Sequence, residues 1–337
     1  MVIKKFTLSI KYILLPISGL FLTLFYISFG QIDSTFNDSI KIIINSFHNS
    51  FVVDPVIEKV ILYIRIPRAI TAVICGAGLA ISGCALQGIF SNPLIGPQII
   101  GVYSGAAFGG ALGILISEKS YLILFLAFGF GILSMVIVFF IARVKGFANR
   151  LTLVLAGIVS SSFFLSLVSL VKFLADPDDK LPAITYWLMG TFSTSSYEKI
   201  SIVSPIIIVS VFILILFSFR IDVLNLGDDQ AKSLGINVEL NRWIIISLVT
   251  IICASVVSIA GVIGWVGLVI PHIARSISLT NHRSLLINSA IFGAYYMLVI
   301  DLLCRGFSAM EIPLGVVTAL IGAPFFAILL RKRLKGI

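Results

Sequence analysis

Charge is what this sequence has least of. Only 12% of its 337 residues are Asp, Glu, Lys or Arg, where a soluble domain carries about 25%. So few charges cannot cover a water-facing surface, which excludes a soluble protein. Histidine is nearly missing: the three residues, at 48, 272 and 282, are scattered and suggest no metal cluster. Cysteine is confined to Cys75, Cys84, Cys253 and Cys304, with no CxxC pair, all within apolar stretches. They read as small core residues. There is no GxxxxGK[ST] segment, so the chain holds no nucleotide through a P-loop of its own. HExxH, catalytic-triad and haem-attachment patterns are also missing. The expected catalytic, cofactor-binding and metal-binding residues on this chain are therefore none. Asp176, Asp178 and Asp179 lack the further oxygen ligands of a calcium loop and read as a solvated outer turn. No A-x-A-like site follows Lys4, Lys5 and Lys11, so the first apolar run reads as a spanning helix and not as a cleaved leader.

What the chain has is apolar length. Hydrophobic residues make up 59% and the mean hydropathy is +1.12. A spanning helix needs about 20 apolar residues. The runs predict helices over 12–30, 66–89, 97–115, 121–143, 151–174, 197–219, 242–262, 264–277, 285–304 and 314–330. The fold class is then all-α, a polytopic membrane protein of about ten helices, with residues 1–337 forming one transmembrane domain. The segments 97–115 and 264–277 are short and interrupted by Gly or Pro, as helices beside a transport path often are. The net charge of +9 resides in short loops, which suits topology and not nucleic acid. Fifteen Lys and Arg fall on the side of the N-terminus and eight on the other, with Lys172 within a helix. The positive-inside rule puts both termini in the cytoplasm.

Four groups of residues draw attention. The first is RIPRAITAVICGAGLAISGCALQGIFSNPLIGPQIIGVYSGA, from Arg65 to Ala106. A Gly/Ala/Ser helix offers lipid little but lets other helices approach closely. The SNPLIGP turn after it, with Asn92 and Pro93, breaks the helix on the cytoplasmic side, either as a plain connector or as a surface for a partner. Second, Arg65, Arg68 and Arg305 stand at the outer face against the charge bias. Snorkelling explains arginines at helix ends, but retention on the disfavoured side suggests a use. Arg305 can also pair with Asp301 one turn away. Third, the inner loop RIDVLNLGDDQAKSLGINVELN predicts a short capped helix. Gly227, Asp228 and Asp229 open it with acids at its positive end, Lys232 lies towards the other end, and Gly235 closes it in left-handed conformation. Ala231 and Leu234 are spaced to share a face. On composition this is a solvated connector; its shape also suits docking into a groove on a partner. Fourth, Gly157, Ser160 and Ser161 begin a helix whose small and hydroxyl residues either line a path or bond back to carbonyls one turn earlier. His272, after Pro271, reads as a packing histidine.

The stretches RIPR, GAGLAISGCALQGIF and NPLIGPQIIGVYSGAAFGG resemble the signature of the FecCD-type permeases, membrane subunits of bacterial ABC importers for ferric siderophores, haem and cobalamin. The resemblance recurs in LVLAGIVSSSFFLSLVSLVKFLADPDDKLPAITYWLMGTF, LGDDQAKSLGINVELNR, GVIGWVGLVIPHIAR and EIPLGVVTALIGAPFF, from about Ile61 to Leu330. It implies a fold like the cobalamin importer permease, of the type II ABC importers, in the bacterial inner membrane. It implies a homodimer with the path at the subunit interface, two copies of a cytoplasmic P-loop ATPase carrying ATP and Mg, and a periplasmic or lipid-anchored binding protein. Residues 222–240 would be the ATPase-coupling segment, and Asn92 and Pro93 a secondary ATPase contact. Arg65, Arg68 and Arg305 would face acidic residues of the binding protein, with Arg68 open to an inward orientation. Gly157, Ser160 and Ser161 would line the path or its gate. An uncharged path suits a large chelated metal, which is the expected cargo; a small oxyanion such as molybdate or tungstate is the alternative. An ion-coupled secondary carrier is the rival of another class, and it would need ionisable groups at mid-membrane.

Overall fold

The computed structural model describes residues 15, 17–30, 32, 34–46, 51–117, 119–143, 148–278, 281–306 and 311–334. Lys4, Lys5 and Lys11, the start of the first predicted helix, His48 and Lys145 lie outside the described residues, as do Lys335 and the side chains of Lys332 and Arg333. Among the described residues every regular element is helical. Six helices are long and apolar enough to cross a membrane, and four shorter apolar ones complete the positions the sequence predicted.

The elements are α1 (Ile17–Ser28), α2 (Phe36–Asn45), α3 (Pro55–Ile89), α4 (Val102–Ile116), α5 (Ser120–Ala142), α6 (Arg150–Leu174) and α7 (Lys180–Leu188). They continue as α8 (Tyr197–Leu216), α9 (Ser218–Asn225), α10 (Asp228–Ser233), α11 (Val238–Ala260), α12 (Val266–Arg275), α13 (His282–Gly306) and α14 (Leu314–Leu334).

Two differences from the sequence reading have local causes. α2 lies in a segment where the sequence predicted no helix. It is started by a capping box, in which Asp38 N donates to Thr35 Oγ1 at 3.2 Å and Thr35 N donates to Asp38 Oδ2 at 3.0 Å. α3 begins eleven residues before the predicted Ile66, because Asp54 Oδ1 accepts from Val56 N at 2.7 Å and Pro55 takes the first helical position. Pro67 cannot supply an N–H to the helical ladder. A π-turn at Ile61–Arg65 just before it absorbs that loss, and the helix runs on without a break.

α3 and α11 form the buried centre, while α5, α6 and α8 each leave an apolar face open. Phe125, Phe140, Ile208 and Phe212 of α5 and α8 are exposed, as lipid-facing side chains would be. The centre is held by backbone contact. A Cβ on Gly76 would run into the Gly293 carbonyl of α13, and one on Gly83 into the Gly267 carbonyl of α12. Gly105 and Gly109 of α4 meet the α5 backbone in the same way. With lipid tails as apolar as Leu, such close approach is what holds helices together in a membrane. Gly83→Val is therefore expected to prevent accumulation of a folded chain, since the obstruction is main chain and cannot rotate away. Gly129→Ala, at a position with nothing within 4 Å of the added carbon, is expected to leave the melting temperature unchanged or slightly raised. Size-exclusion profiles and thermal melts of the two variants in detergent check the pair.

Between α11 and α12 the chain leaves the helix at Gly261, whose φ is +69°, and remains irregular through Trp265, also at φ +69°. A left-handed Trp is strained. It is held by Gly322 of α14, against which its Cβ packs, and by an edge contact with Phe326. Irregular backbone at membrane depth must be covered by protein, and Gly261, Ile263, Val266 and Ile270 are buried.

Candidate functional site

Two polar clusters sit at opposite ends of α3. The helical stretch Ile66–Ile89 has 24 residues, a rise of about 36 Å, and separates them.

The outer cluster contains the three singled-out arginines, with side chains turned inward. Arg65, Arg68 and Arg305 are only 3%, 5% and 8% exposed. Arg65 spends its donors on the link between α1 and α2: Nη1 reaches Ile27 O at 2.8 Å and Ser34 Oγ at 2.6 Å, and Nη2 reaches Ile32 O at 2.6 Å. Gly30 leaves room for this guanidinium, since a Cβ there would strike it. Arg68 grips Asp301 with two nitrogens, Nε to Oδ2 at 2.8 Å and Nη2 to Oδ1 at 2.7 Å, and Glu311 with Nη1 at 2.6 Å. Tyr26 Oη donates to Asp301 Oδ2 at 2.5 Å. Arg305 Nε lies 3.7 Å from the same carboxylate, its Nη2 donates to Tyr26 O at 2.7 Å, and its Cζ stands 4.1 Å from the Tyr26 ring centre. The outward orientation expected for docking is not the one found in the chain alone, where all three side chains turn inward. Their charge is taken up by Asp301, Glu311 and main-chain carbonyls, and the cluster ties α1, α3 and α13 together. The inward turn left open for Arg68 and the Asp301–Arg305 pairing are both present. Asp301, Tyr26 and Glu311 are the members that sequence reading did not connect to it.

The inner cluster builds the predicted coupling segment. α10 has its expected form: Asp228 and Asp229 in the first turn, Lys232 in the last, and Gly235 at φ +76°. Gly235 N bonds to Lys232 O at 2.9 Å and Ile236 N to Ala231 O at 3.0 Å, a Schellman closure. Gly227, at φ +120°, permits the turn out of α9. The shared face expected for Ala231 and Leu234 is corrected. Ala231 is 0% exposed and Leu234 61%, because the helix ends at Ser233 and Leu234 already belongs to the turn. Asp228 also faces inward, where its Oδ1 accepts from Arg242 Nη2 at 2.7 Å and lies 3.3 Å from Arg150 Nη2. Partial burial pushes the Asp228 carboxyl up. The hydrogen bond from Arg242 and the charges of Arg242, Arg150 and Lys232 outweigh this and hold it below its ordinary value. Asp228 thus ties the segment to Arg150 of α6 and Arg242 of α11 and Ala231 is buried, while Leu226, Asp229, Lys232 and Leu234 are left exposed.

The turn with Asn92 and Pro93 lies beside this segment. Ser91, at φ +49°, donates from Oγ to Asn225 O at the end of α9 at 2.8 Å, and Asn92 Oδ1 accepts from Leu94 N at 3.0 Å. The two stretches predicted to face an ATPase therefore form one surface.

The predicted path residues are placed differently. Gly157 packs against the Ile99 carbonyl, and Ser160 Oγ lies 3.0 Å from Ser134 Oγ, which bonds Gly101 O at 2.8 Å. Gly157 and Ser160 are buried and Ser161 is half-buried. Gly157 and Ser160 seat the interrupted helix over 97–101 within the chain. The open hydroxyls of α6 are Ser162, Ser166 and Ser169, spaced along one face and each bonded back to the carbonyl four residues earlier, at 3.0, 2.9 and 3.1 Å. Periodicity alone could not separate this face from the buried one, since both are mixtures of Ser and apolar residues.

No group of three or more His, Cys, Asp or Glu side chains comes together among the described residues. All four cysteines are buried and free. His272 packs by an edge against Phe325.

Comparison with known proteins brings these observations together. The family model of the FecCD transport family matches residues 18–332. The permease protein of the molybdate import system of Haemophilus influenzae is 44% identical over 286 residues, covering 84% of each chain. An iron chelatin transport system permease protein of Helicobacter pylori is 41% identical over 278 residues, covering 82% of this chain and 84% of that one. A solved metal-chelate-type ABC transporter in an inward-facing conformation superposes with a TM-score of 0.84 at 39% identity, over 94% of this chain and 97% of the other.

Proposed function

The chain belongs to the FecCD transport family, and on that premise we propose that it is the permease subunit of a binding-protein-dependent ABC importer in the bacterial inner membrane. ATP hydrolysis is assigned to a separate P-loop ATPase, two copies of which bind a permease homodimer. The observation that carries this reading is the coupling segment, a capped helix with an exposed Leu234 on a chain that has no nucleotide motif of its own. Such an element is of use only if another protein supplies the nucleotide cycle. ATP closes the ATPase pair, the segment moves with it, and the populations of outward- and inward-open states shift by the difference in their affinity for that partner. The rival secondary carrier needs a free ionisable group at mid-membrane. Asp301, fully buried, is instead bound by Arg68 near the outer end of α13.

The path is assigned to the subunit interface, with the open Ser162, Ser166 and Ser169 face of α6 on its wall. Hydroxyls already bonded to their own helix present a weakly polar surface that a bulky, shielded solute can slide past. The cargo read from this is a metal chelate: a ferric siderophore, haem or cobalamin. A small oxyanion is the second reading, favoured by the 44% identity to a molybdate permease. Proteoliposomes carrying the permease with its ATPase and binding protein test both. Labelled ferric siderophore, haem, cobalamin and molybdate are offered in turn, and one class is expected to accumulate only with ATP and the binding protein present. Uptake of a free divalent metal without the binding protein would overturn the reading.

A further inference from the structure

Two cavities open on the side where the Lys/Arg bias places the cytoplasm, and they differ in charge. One, of about 610 Å3, has both signs in its wall, with Asp228 and Glu239 against Lys232 and Arg242. The other, of about 520 Å3, lies among the end of α3, the turn after it, α12 and the start of α13. Arg275, Gln87, His272, His282, Ser91 and Asn92 contribute to its wall, and no carboxylate does.

Arg275 decides what this cavity can hold. Its Nη2 donates to Gln87 Oε1 at 2.7 Å. Its Nη1 has no acceptor among the described residues and is shielded from solvent. The buried guanidiniums Arg65, Arg68, Arg242 and Arg305 each find an anion or main-chain carbonyls. Arg275 has only a neutral amide. Asp222, whose partner His282 lines the cavity, is occupied elsewhere: its Oδ1 lies 2.6 Å from His282 Nδ1 and accepts from His282 N at 2.9 Å. Asp222 is not in the cavity wall. That pairing fixes the imidazole and keeps the acid from neutralising the arginine.

We propose that this cavity is a cytoplasmic-side binding site for a tetrahedral oxyanion of the phosphate, sulfate or molybdate class, with Arg275 as its charged anchor and Gln87 as the residue that orients it. A guanidinium with an unspent donor suits such oxygens by charge and by hydrogen bonding. Ser91 and Asn92 add neutral donors at the rim, and the wall brings no like charge against the ligand. The site belongs to the permease chain and does not depend on which solute is carried. Free anions and lipid headgroup phosphates share this chemistry.

The test uses the full complex of permease and ATPase in nanodiscs of neutral phosphatidylcholine. Binding of labelled sulfate is measured by equilibrium dialysis, with molybdate and inorganic phosphate as competitors. Wild type and Lys119→Gln, which loses a charge at an exposed position on the other side, are expected to bind alike. Arg275→Gln is expected to weaken binding about tenfold or more, the usual scale for a charged hydrogen bond, with Arg275→Lys in between. Gln87→Ala removes no charge and is expected to weaken binding by a smaller factor, which covers the case of an Arg275 variant that does not fold. Repetition with phosphatidylglycerol separates the sources. Loss of sulfate binding in wild type alone identifies the headgroup phosphate as the natural occupant; unchanged binding identifies the free oxyanion. Equal sulfate binding by wild type and both Arg275 variants overturns the proposal. So does binding seen only when the ATPase is left out, because the cavity would then be an ATPase contact. No transport is measured, so failure of the uptake experiment leaves this result standing.

Discussion

Asp301→Ala is expected to keep the folded permease from accumulating in the membrane. The carboxylate is fully buried. It takes two nitrogens of Arg68 and the hydroxyl of Tyr26, with Arg305 at 3.7 Å. Removing it leaves two guanidiniums facing each other in a buried site. Breaking a buried pair from one side costs about 3–5 kcal/mol, a large share of the roughly 5–15 kcal/mol that holds a typical domain together. The outer ends of α1, α3 and α13 should come apart together. Yield after size exclusion and a thermal melt in detergent measure this. Asp301→Asn, which keeps an acceptor for Arg68, is expected to fall in between. The double variant Asp301→Leu with Arg68→Met is expected to recover only part of the loss, since it removes the Arg68–Asp301 pair from both sides but takes a partner from Arg305 and from Glu311. An Asp301→Ala chain that melts with wild type would show that the cluster holds nothing. The same geometry changes what charge reversal at Arg305 should do. Arg305→Glu would place a carboxylate beside Asp301, and ATPase activity with and without the binding protein should fall equally. Loss of only the binding-protein-stimulated part would restore the outward docking role.

Leu234→Asp is expected to abolish ATP-driven uptake while leaving the permease itself intact. Leu234 is 61% exposed at the tip of the coupling segment, so the change should cost the permease's own fold little. A central apolar residue in an interface contributes about 2 kcal/mol or more, and a charge in its place adds a desolvation cost. Co-purification with the ATPase should fail or weaken by about thirtyfold, with an unchanged melt of the permease alone. Asp228→Ala and Ala231→Leu should behave in the opposite order, losing permease stability first, because Asp228 is clamped by Arg150 and Arg242 and Ala231 is fully buried. A Leu234→Asp complex with normal ATPase activity would sink the coupling assignment. The Asp228 clamp also sets a pH expectation. Its folded pKa is depressed, so its stabilisation is complete above the ordinary carboxylate value of 3.8 and is lost as pH falls through the lower, folded one. From about pH 8 to about pH 5 the clamp should not titrate. A pH-dependent dissociation of the ATPase in that window would have to come from another group.

The sequence by itself determined the number and positions of the apolar helices, because length and hydropathy are properties of a contiguous stretch. It also determined the form of α10, since Gly227, the two aspartates and Gly235 act within one turn of themselves. The start of α2 was equally local: Thr35 and Asp38 have the spacing of a capping box, outvoted by the polar residues around them. Partnership was a matter for the tertiary structure. Arg68 and Asp301 are 233 positions apart, and nothing in either neighbourhood names the other, so arginines that looked outward in sequence proved to be the inner half of a buried ion cluster. The orientation of α6 was hidden for a related reason. In a membrane the outside of a helix is as apolar as its inside, so composition could not say that Gly157 and Ser160 pack inward while Ser162, Ser166 and Ser169 stay open. Only close packing against the interrupted segment over 97–101, through the Ile99 carbonyl and Ser134, fixed which face is which.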